Sequence, residues 1–385
     1  MHNYRLLTVV NGFFFAAIGV TAPLITLYLE ALGASYAHIS LILTSFVLSM
    51  LASNYLWGRL SDRMGRRKPL LAAGLFGLAA AYVGLSQAPT VNWAWAMRVG
   101  EGAASAAYIT LSLAIMGDAL ERSDAKGRQM GVFRGIGSLA FAGGALIGGR
   151  FADAYSLPRT FLLAALFPLL AGVTALWLQP VQHFAPAKKS DIEKSNTGDR
   201  TPVTRGLPVL FLAGVVLWMA AHSASTSMWP NYMATLGYTK TAISSLWGLA
   251  AFTEMPFMYA AGVLSDLMGR ALLLAAGGFA IALVQLGYIL WARYLPALVG
   301  VQVLRGFGFA SYTTTAMTYT TEQGDRRARG GASGLFYTAA SAGQLLGMLM
   351  GGVLAQAWGF VTLYVICGLL AATSGFCFLA LRRKG

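Results

Sequence analysis

Polar side chains recur at intervals of three and four residues in two otherwise apolar stretches. Residues spaced in this way share one face of a helix. The first stripe consists of Arg98, Glu101, Ser105, Tyr108 and Ser112, and the second of Arg305, Gly308, Tyr312, Thr315 and Tyr319. Two such stripes facing each other would line a water-filled cavity, in which hydrogen bonds and two arginines could hold a small molecule.

Three ionisable side chains in apolar surroundings could exchange protons: Glu254, Glu101 and His222. A carboxylate is expensive to keep ionised inside a membrane, and a histidine titrates near neutrality. We therefore predict that these three residues carry protons. The alternatives are a protonated Glu254 that only bonds a neighbouring helix, an Arg98–Glu101 ion pair that only fixes its own helix, and a His222 that only bonds another helix.

Aromatic and hydroxyl side chains accompany His222 in the stretch WMAAHSASTSMWPNY. Helical spacing places Trp218, Thr226 and Trp229 on the same face as His222. We predict that this face contacts a substrate, since aromatic rings in a cavity can hold apolar or aromatic groups. Packing between helices is the alternative for the two tryptophans.

The composition indicates a membrane protein. The 385 residues are 57% hydrophobic and only 11% charged, and the mean hydropathy is +0.61. Stretches of about 20 apolar residues are long enough to cross a bilayer as helices. We predict twelve such spans, at 6–30, 39–58, 70–88, 94–118, 129–151, 159–178, 207–230, 242–264, 271–291, 295–320, 331–355 and 360–381.

The net charge of +14 follows the predicted topology. With a cytoplasmic N-terminus, 21 of the 28 lysines and arginines fall in cytoplasmic segments. This is the positive-inside distribution of membrane proteins. It predicts that both termini are cytoplasmic, and it argues against nucleic acid as a partner. The scattered histidines and cysteines predict no metal site, and no phosphate-binding loop for ATP is visible.

The sequence contains an internal repeat. LYLEALGASYAHIS at 27–40 matches NYMATLGYTKTAIS at 231–244 with an offset of 204 residues, and 131–149 matches 334–352 with an offset of 203. A polar stretch rich in lysine and proline separates the two copies. We predict an N-terminal six-helix bundle at 1–178, a cytoplasmic linker at 179–206 and a C-terminal six-helix bundle at 207–385.

A charged motif follows the second span of each copy. GRLSDRMGRRK stands at 58–68, and the shorter GVLSDLMGR stands at 262–270. With the twelve spans and the central linker, these motifs resemble those of the major facilitator superfamily over the whole chain. The resemblance implies an all-α membrane fold of two pseudo-symmetric six-helix bundles that rock around a central substrate site.

The resemblance also implies a gating role for Asp62, Arg66, Asp266 and Arg270, which lie in these motifs. By resemblance, Asp62 meets the start of the eleventh span near Gly331, after Asp325, Arg326, Arg327 and Arg329. A carboxylate there would interact with the positive end of the helix dipole. Asp266 would mirror this contact against the fifth span, near Arg128.

The fourth span adds RVGEGAAS at 98–105, which is similar to a motif of proton-coupled drug exporters. We therefore predict a carrier that exports small organic compounds in exchange for protons, with no cofactor beyond the proton gradient. We expect a monomer among membrane lipids, in a bacterial inner membrane. LWGLAAFTEMPFM in the eighth span favours an alternative, the symport of a sugar or nucleoside with protons. A transport-dead receptor, a membrane enzyme and a channel are further alternatives, and the paired motifs argue for a moving carrier.

Overall fold

The computed structural model describes residues 2–120, 126–179, 207–323 and 329–383. Secondary structure in these ranges is helical, without β-strands. From residue 180 onward the predicted linker lies outside the described residues.

Seven helices precede the linker: α1 (His2–Thr21), α2 (Ile25–Ala31), α3 (Tyr36–Met64), α4 (Arg67–Ser86), α5 (Val91–Leu120), α6 (Lys126–Ala154) and α7 (Leu157–Ala175). The first predicted span is divided between α1 and α2. Pro23 lies at the break, where its ring and its missing N–H prevent a continuous helix. The other five spans of this half each correspond to one helix.

Five helices follow the linker: α8 (Val209–Thr235), α9 (Lys240–Met268), α10 (Arg270–Leu290), α11 (Leu295–Gln323) and α12 (Arg329–Ala380). α12 contains the last two predicted spans. Gly359 divides them with φ 80° and ψ 169°, a conformation that residues with a side chain rarely adopt. α8 continues past Pro230 for five more residues, so this proline does not end the helix.

Nine helical segments in the described ranges are long and apolar enough to cross a membrane, and the segment in α12 is long enough to cross twice. Apart from the short α2, the helices that are not among the nine are α9 and α11. Each carries a charge in its middle, Glu254 in α9 and Arg305 in α11. The two exceptions are therefore helices in which the sequence already indicated functional polar groups.

The helices pack in two groups. In the first, α1 contacts α6 and α7, α3 contacts α5, and α4 contacts α5 and α7. In the second, α8 and α10 contact α12, and α11 contacts α9 and α10. The main contacts between the groups are α6 with α9 and α3 with α12. The arrangement confirms the predicted all-α fold of two related bundles.

Glycines allow the same close approach in both bundles. A Cβ atom added to Gly148 in α6 would lie 2.7 Å from the carbonyl oxygen of Val20 in α1. A Cβ atom added to Gly351 in α12 would lie 2.7 Å from the carbonyl oxygen of Ala224 in α8. Small residues let helix backbones approach closely in membranes. The sequence repeat is therefore also a repeat of helix contacts.

Candidate functional site

A cavity of about 190 Å³ lies between the two bundles. Its lining comes from both halves: Ile18, Thr21, Ala22, Ile25, Thr26, Leu43, Phe46, Arg98, Glu101, Thr226, Ser227, Pro230, Trp247 and Met348. Several lining residues are related by the offset of 204, such as Leu43 and Trp247. The cavity therefore lies near the pseudo-twofold axis that relates the bundles. Arg98, Glu101 and Thr226 are the predicted residues on its wall.

Arg98 and Glu101 form an ion pair on α5. Both side chains are buried, with 6% and 2% of their surface exposed. The Arg98 guanidinium also lies over the Phe46 ring, 4.1 Å from its centre. The local pair considered from the sequence is therefore present, and it faces the cavity. Its two charges neutralise each other in this conformation.

We expect Glu101→Gln to destabilise the protein by about 3–5 kcal/mol, because it leaves the buried Arg98 guanidinium without its counter-charge. Thermal unfolding of the purified protein in detergent would measure the loss. The double variant with Arg98→Gln and Glu101→Gln is the matched control, since it removes both charges and should recover much of the stability. Equal stability of the single variant and the wild type would show that the pair contributes nothing to folding.

The remaining polar residues of the α5 stripe are held inside the first bundle. The Tyr108 hydroxyl donates a 2.6 Å hydrogen bond to Oδ1 of Asn11, and its ring stacks on Phe14 with centres 3.8 Å apart. Ser105 and Ser112 are buried. These three predicted cavity residues do not line the cavity in this conformation.

The second bundle repeats this stack. The ring centres of Trp218 and Tyr312 are 3.8 Å apart, and both residues are offset by 204 from Phe14 and Tyr108. The His222 ring also stacks on the Trp218 ring, with ring centres 4.9 Å apart. The predicted proton carrier His222 is therefore packed among aromatic rings.

The other predicted residues of the second bundle lie on either side of this stack. Thr315 is buried on α11, and Tyr319 packs on Phe211 with ring centres 4.6 Å apart. Trp229 is buried and lies edge-on to Trp247, with ring centres 5.9 Å apart. Thr315, Tyr319 and Trp229 are not on the wall of the central cavity.

Glu254 and Arg305 lie on adjacent helices of the second bundle. Glu254 is half-buried on α9 and forms no ion pair within 4.0 Å among the described residues. Arg305 on α11 is buried and lies over the Trp247 ring, 5.1 Å from its centre. Arg305 is close enough to interact electrostatically with both Glu254 and His222. The second bundle thus holds an intramembrane acid and base that interact without direct contact.

The two charged motifs lie at one end of the molecule, which we call the basic end. There, Arg270 pairs with Asp266 at 2.6 Å and with Glu322 at 2.7 Å. Asp62 and Arg66 are exposed, and Asp62 forms no ion pair with another described residue. The predicted partners of Asp62 and Asp266, namely Asp325 to Arg329 and Arg128, lie outside the described side chains. The predicted contacts between the bundles at this end therefore stay predictions.

At the opposite end, which we call the distal end, a carboxylate joins the bundles. Asp153 at the end of α6 accepts hydrogen bonds from the backbone N–H groups of Lys240, at 3.1 Å, and Thr241, at 2.8 Å. Its carboxylate also lies 3.6 Å from Nζ of Lys240. The first N–H groups of a helix have no partner within it. Asp153 therefore caps α9 from the other bundle, and we call this contact the distal latch.

The repeat supplies a neutral counterpart of the distal latch. Gln356 in α12 accepts a 3.0 Å hydrogen bond from the backbone N–H of Tyr36, the first residue of α3. Ser40 accepts a 2.6 Å hydrogen bond from the N–H of Gly352. Asn231 donates a 2.6 Å hydrogen bond to Glu30. Throughout the described part of the chain, the hydrogen bonds between the bundles lie at the distal end.

The sequence profile of the Major Facilitator Superfamily matches residues 6–295 and 210–385, which together cover nearly the whole chain. The chain belongs to the Major Facilitator Superfamily. It is therefore an integral multi-pass membrane protein of a family whose members are transporters of small molecules, not enzymes.

Relatives within the superfamily agree with this assignment. A "Putative sugar efflux transporter" of Deinococcus radiodurans is 28% identical over 372 residues, which cover 95% of each chain. The multidrug resistance protein MdtG of Yersinia enterocolitica is 28% identical over 278 residues, or 68% of this chain and 64% of that protein. The crystal structure of the nucleoside transporter NupG matches with a TM-score of 0.79 over all of both chains, at 15% identity. At that identity the structural match shows the superfamily fold alone.

We expect Asp62→Asn to impair transport by this superfamily member while leaving substrate binding intact. Asp62 is exposed and forms no ion pair with another described residue, so its charge would act when the basic end closes. Spin labels at Met64 and Leu267, both exposed near this end, would report its opening by their distance. Asp62→Asn should lengthen the mean distance, and the charge-preserving Asp62→Glu should not. Unchanged distances in Asp62→Asn would refute a gating role.

Proposed function

We propose that the protein is a secondary active transporter that exports small organic compounds in exchange for protons by alternating access. The observation that carries this proposal is the cavity between the bundles, which is lined by both halves, in a conformation whose bundles are joined by the distal latch. A cavity between two related bundles can be exposed alternately to either side when the bundles rock. The present conformation is then the one closed toward the outside.

The proposed orientation places the basic end in the cytoplasm. The distribution of lysine and arginine supports cytoplasmic termini. We assign the protein to a bacterial inner membrane, where it acts as a monomer among lipids, since a single chain supplies both walls of the cavity.

Proton coupling is proposed for Glu254, Glu101 and His222. Ionisable residues inside membrane spans are costly and usually functional. Glu101 is engaged by Arg98 and His222 by aromatic rings. Glu254 has no direct charge partner among the described residues and is half-buried. It is therefore our first choice for the residue that takes up and releases the transported proton.

Export is proposed because relatives named for sugar efflux and multidrug resistance cover most of the chain. The second candidate is the symport of a sugar or nucleoside with protons. It is favoured by the sequence around Glu254, in which the acid precedes Met255 and Pro256 in the eighth span.

Transport into liposomes with an internal pH dye would test the proposal. The purified protein is reconstituted, and candidate drugs, sugars and nucleosides are added outside one at a time. In antiport, substrate entry expels protons and the lumen becomes alkaline. In symport, substrate entry carries protons inward and the lumen becomes acidic.

The sign of the pH change does not depend on the orientation of the inserted protein. Liposomes without protein control for passive diffusion of weak acids and bases. Alkalinisation by a transported substrate supports the exporter, and acidification supports the symporter. Uptake of labelled substrate without any pH change would remove proton coupling altogether.

A further inference from the structure

Arg305 differs from Arg98 in having no carboxylate within ion-pair distance among the described residues, although Glu254 acts on it electrostatically from α9. Only 5% of its surface is exposed, and its Nε and Nη1 atoms form no hydrogen bond with the described residues. A buried charge is normally paired, because desolvation is costly. Its contact with the Trp247 ring supplies only a cation–π interaction. The guanidinium therefore has donors available for a partner that is not part of the described chain.

The repeat explains why Arg305 has no ion-pair partner on its own helix. The matching spacing of the two polar stripes pairs Arg305 with Arg98. However, the Phe14–Tyr108 and Trp218–Tyr312 stacks relate the bundles by an offset of 204. With that offset Arg305 corresponds to Glu101. The second bundle thus has a base where the first has an acid.

Gln302 is the second difference between the two bundles, because it corresponds to Arg98 with the same offset. The pair that neutralises itself in the first bundle is therefore replaced by a neutral amide and a cation. Gln302 is fully buried, and neither atom of its amide has a hydrogen-bond partner among the described residues.

Two further donors lie among the neighbours of Arg305, where the Trp229 ring centre is 5.9 Å from that of Trp247 and 6.0 Å from that of Tyr288. The indole N–H of Trp229 and the hydroxyl of Tyr288 are buried and without a hydrogen-bond partner in the described part of the chain. Tyr288 lies beside both Gln302 and Arg305, although its hydroxyl does not reach hydrogen-bonding geometry with either. Buried polar groups are nearly always hydrogen-bonded. A cluster of donors around a cation is suited to an anionic acceptor.

Trp247 separates this cluster from the central cavity. Its ring lines the cavity and lies over the guanidinium of Arg305. The equivalent residue of the first bundle is Leu43, which also lines the cavity. Leu43 is smaller than Trp247, and in the first bundle the Arg98–Glu101 pair reaches the cavity wall. Rotation of the Trp247 ring would give Arg305 the same access.

We propose that Arg305, Gln302 and Tyr288 form a subsite for the carboxylate of an organic anion, with Trp247 as the side chain that turns aside to admit it. This inference rests on the proposed transport function and names its substrate class. The carboxylate accepts hydrogen bonds from the subsite, and the body of the molecule occupies the central cavity between the bundles.

Calorimetric titration of the purified protein with benzoate and with its neutral analogue benzamide would test the subsite. We expect benzoate to bind the wild type at least about tenfold more tightly, because a hydrogen bond to a charged group is worth about 1.5 kcal/mol or more. Arg305→Gln should abolish this preference. Arg305→Lys should retain part of it, since lysine keeps the charge but lacks the planar donor group. Arg293→Gln, which removes an exposed arginine, is the matched control and should leave the preference unchanged.

A second variant tests the role of Trp247. Trp247→Leu restores the residue of the first bundle and should speed benzoate association, measured by stopped-flow fluorescence. The subsite is refuted if the wild type binds benzoate no better than benzamide, or if Arg305→Gln keeps the preference. Binding is measured without a proton gradient, so it is independent of coupling. If the protein prefers benzoate but moves no protons with any substrate, the proposed antiport is refuted and the subsite is supported.

Discussion

Glu254→Gln is expected to abolish transport against a substrate gradient and to leave exchange of substrate between the two sides of the membrane intact. Glutamine has nearly the same shape as a protonated glutamate, but it cannot release a proton. The variant would therefore keep a neutral group that does not titrate at position 254. Uphill transport requires a proton to bind on one side and to leave on the other, whereas exchange requires only that the substrate-loaded carrier moves.

The position of Glu254 explains why its protonation would be coupled to movement. Its helix, α9, packs against α6 of the other bundle, so rocking of the bundles changes what surrounds the side chain. Arg305 acts on it electrostatically from α11. A carboxylate that is open to one side of the membrane in one conformation and to the other side in the next exchanges its proton with the two sides in turn.

Liposomes with an imposed pH gradient would separate the two activities. A substrate found with the pH dye is used first for gradient-driven accumulation and then for exchange of labelled for unlabelled substrate. Glu254→Asp is the matched control, because it keeps a titratable group and should retain some uphill transport. If Glu254→Gln still accumulates substrate with unchanged pH dependence, the proton site lies elsewhere, and Glu101 and His222 become the candidates.

Much of the fold follows from the sequence because hydrophobic length and repetition determine it. The predicted spans correspond to the observed helices, apart from the break at Pro23 in the first span. That proline was visible in the sequence. Its effect was missed because the apolar stretch continues on both sides of it. Between the last two spans, by contrast, a gap was predicted, and in the structure the helix is interrupted there only at Gly359, which has a positive φ.

The site was harder to predict because side chains on one helical face do not all reach the same space. Arg98 and Glu101 line the cavity, but Tyr108 bonds Asn11 within its own bundle. Trp247 was not among the predicted cavity residues. Its place between Arg305 and the cavity depends on packing between helices. Spacing along one helix carries no information about that packing.

The repeat contained a signal for the distal latch. Tyr36 and Lys240, which begin α3 and α9, are related by the offset of 204, and Asp153 and Gln356 are related by 203. Two polar residues at equivalent helix ends, each near a helix start in the other half, indicate paired caps. Because of the motif at 58–68, the contact of a carboxylate with a helix start was predicted at the basic end. In the described residues this type of contact is formed at the distal end.

Asp153→Ala is expected to open the distal end. The variant removes two hydrogen bonds from the backbone to a carboxylate and the ion pair with Lys240. Loss of an N-terminal helix cap costs about 1–2 kcal/mol, so the population of the conformation closed at the distal end should fall about tenfold relative to the open one. The exposed ion pair adds little.

Spin labels at Gln87 and Tyr294, two exposed positions in distal turns of different bundles, would measure this change. Cys367 and Cys377 are replaced beforehand so that only the introduced cysteines are labelled. The distance between the labels should shift toward longer values in Asp153→Ala. The labels at Met64 and Leu267 should move closer in the same variant, because rocking of rigid bundles closes one end as the other opens.

Gln356→Ala is the matched control, since it removes the neutral cap at the equivalent position. A neutral hydrogen bond contributes about 0.5–1.5 kcal/mol, and so its loss should produce a smaller shift in the same direction. Equal shifts in the two variants would mean that the charge of Asp153 adds nothing to the cap. If the distal distance lengthens in Asp153→Ala but the basic-end distance stays constant, the distal latch acts as a local gate, and the rigid rocking of the two bundles is wrong for this protein.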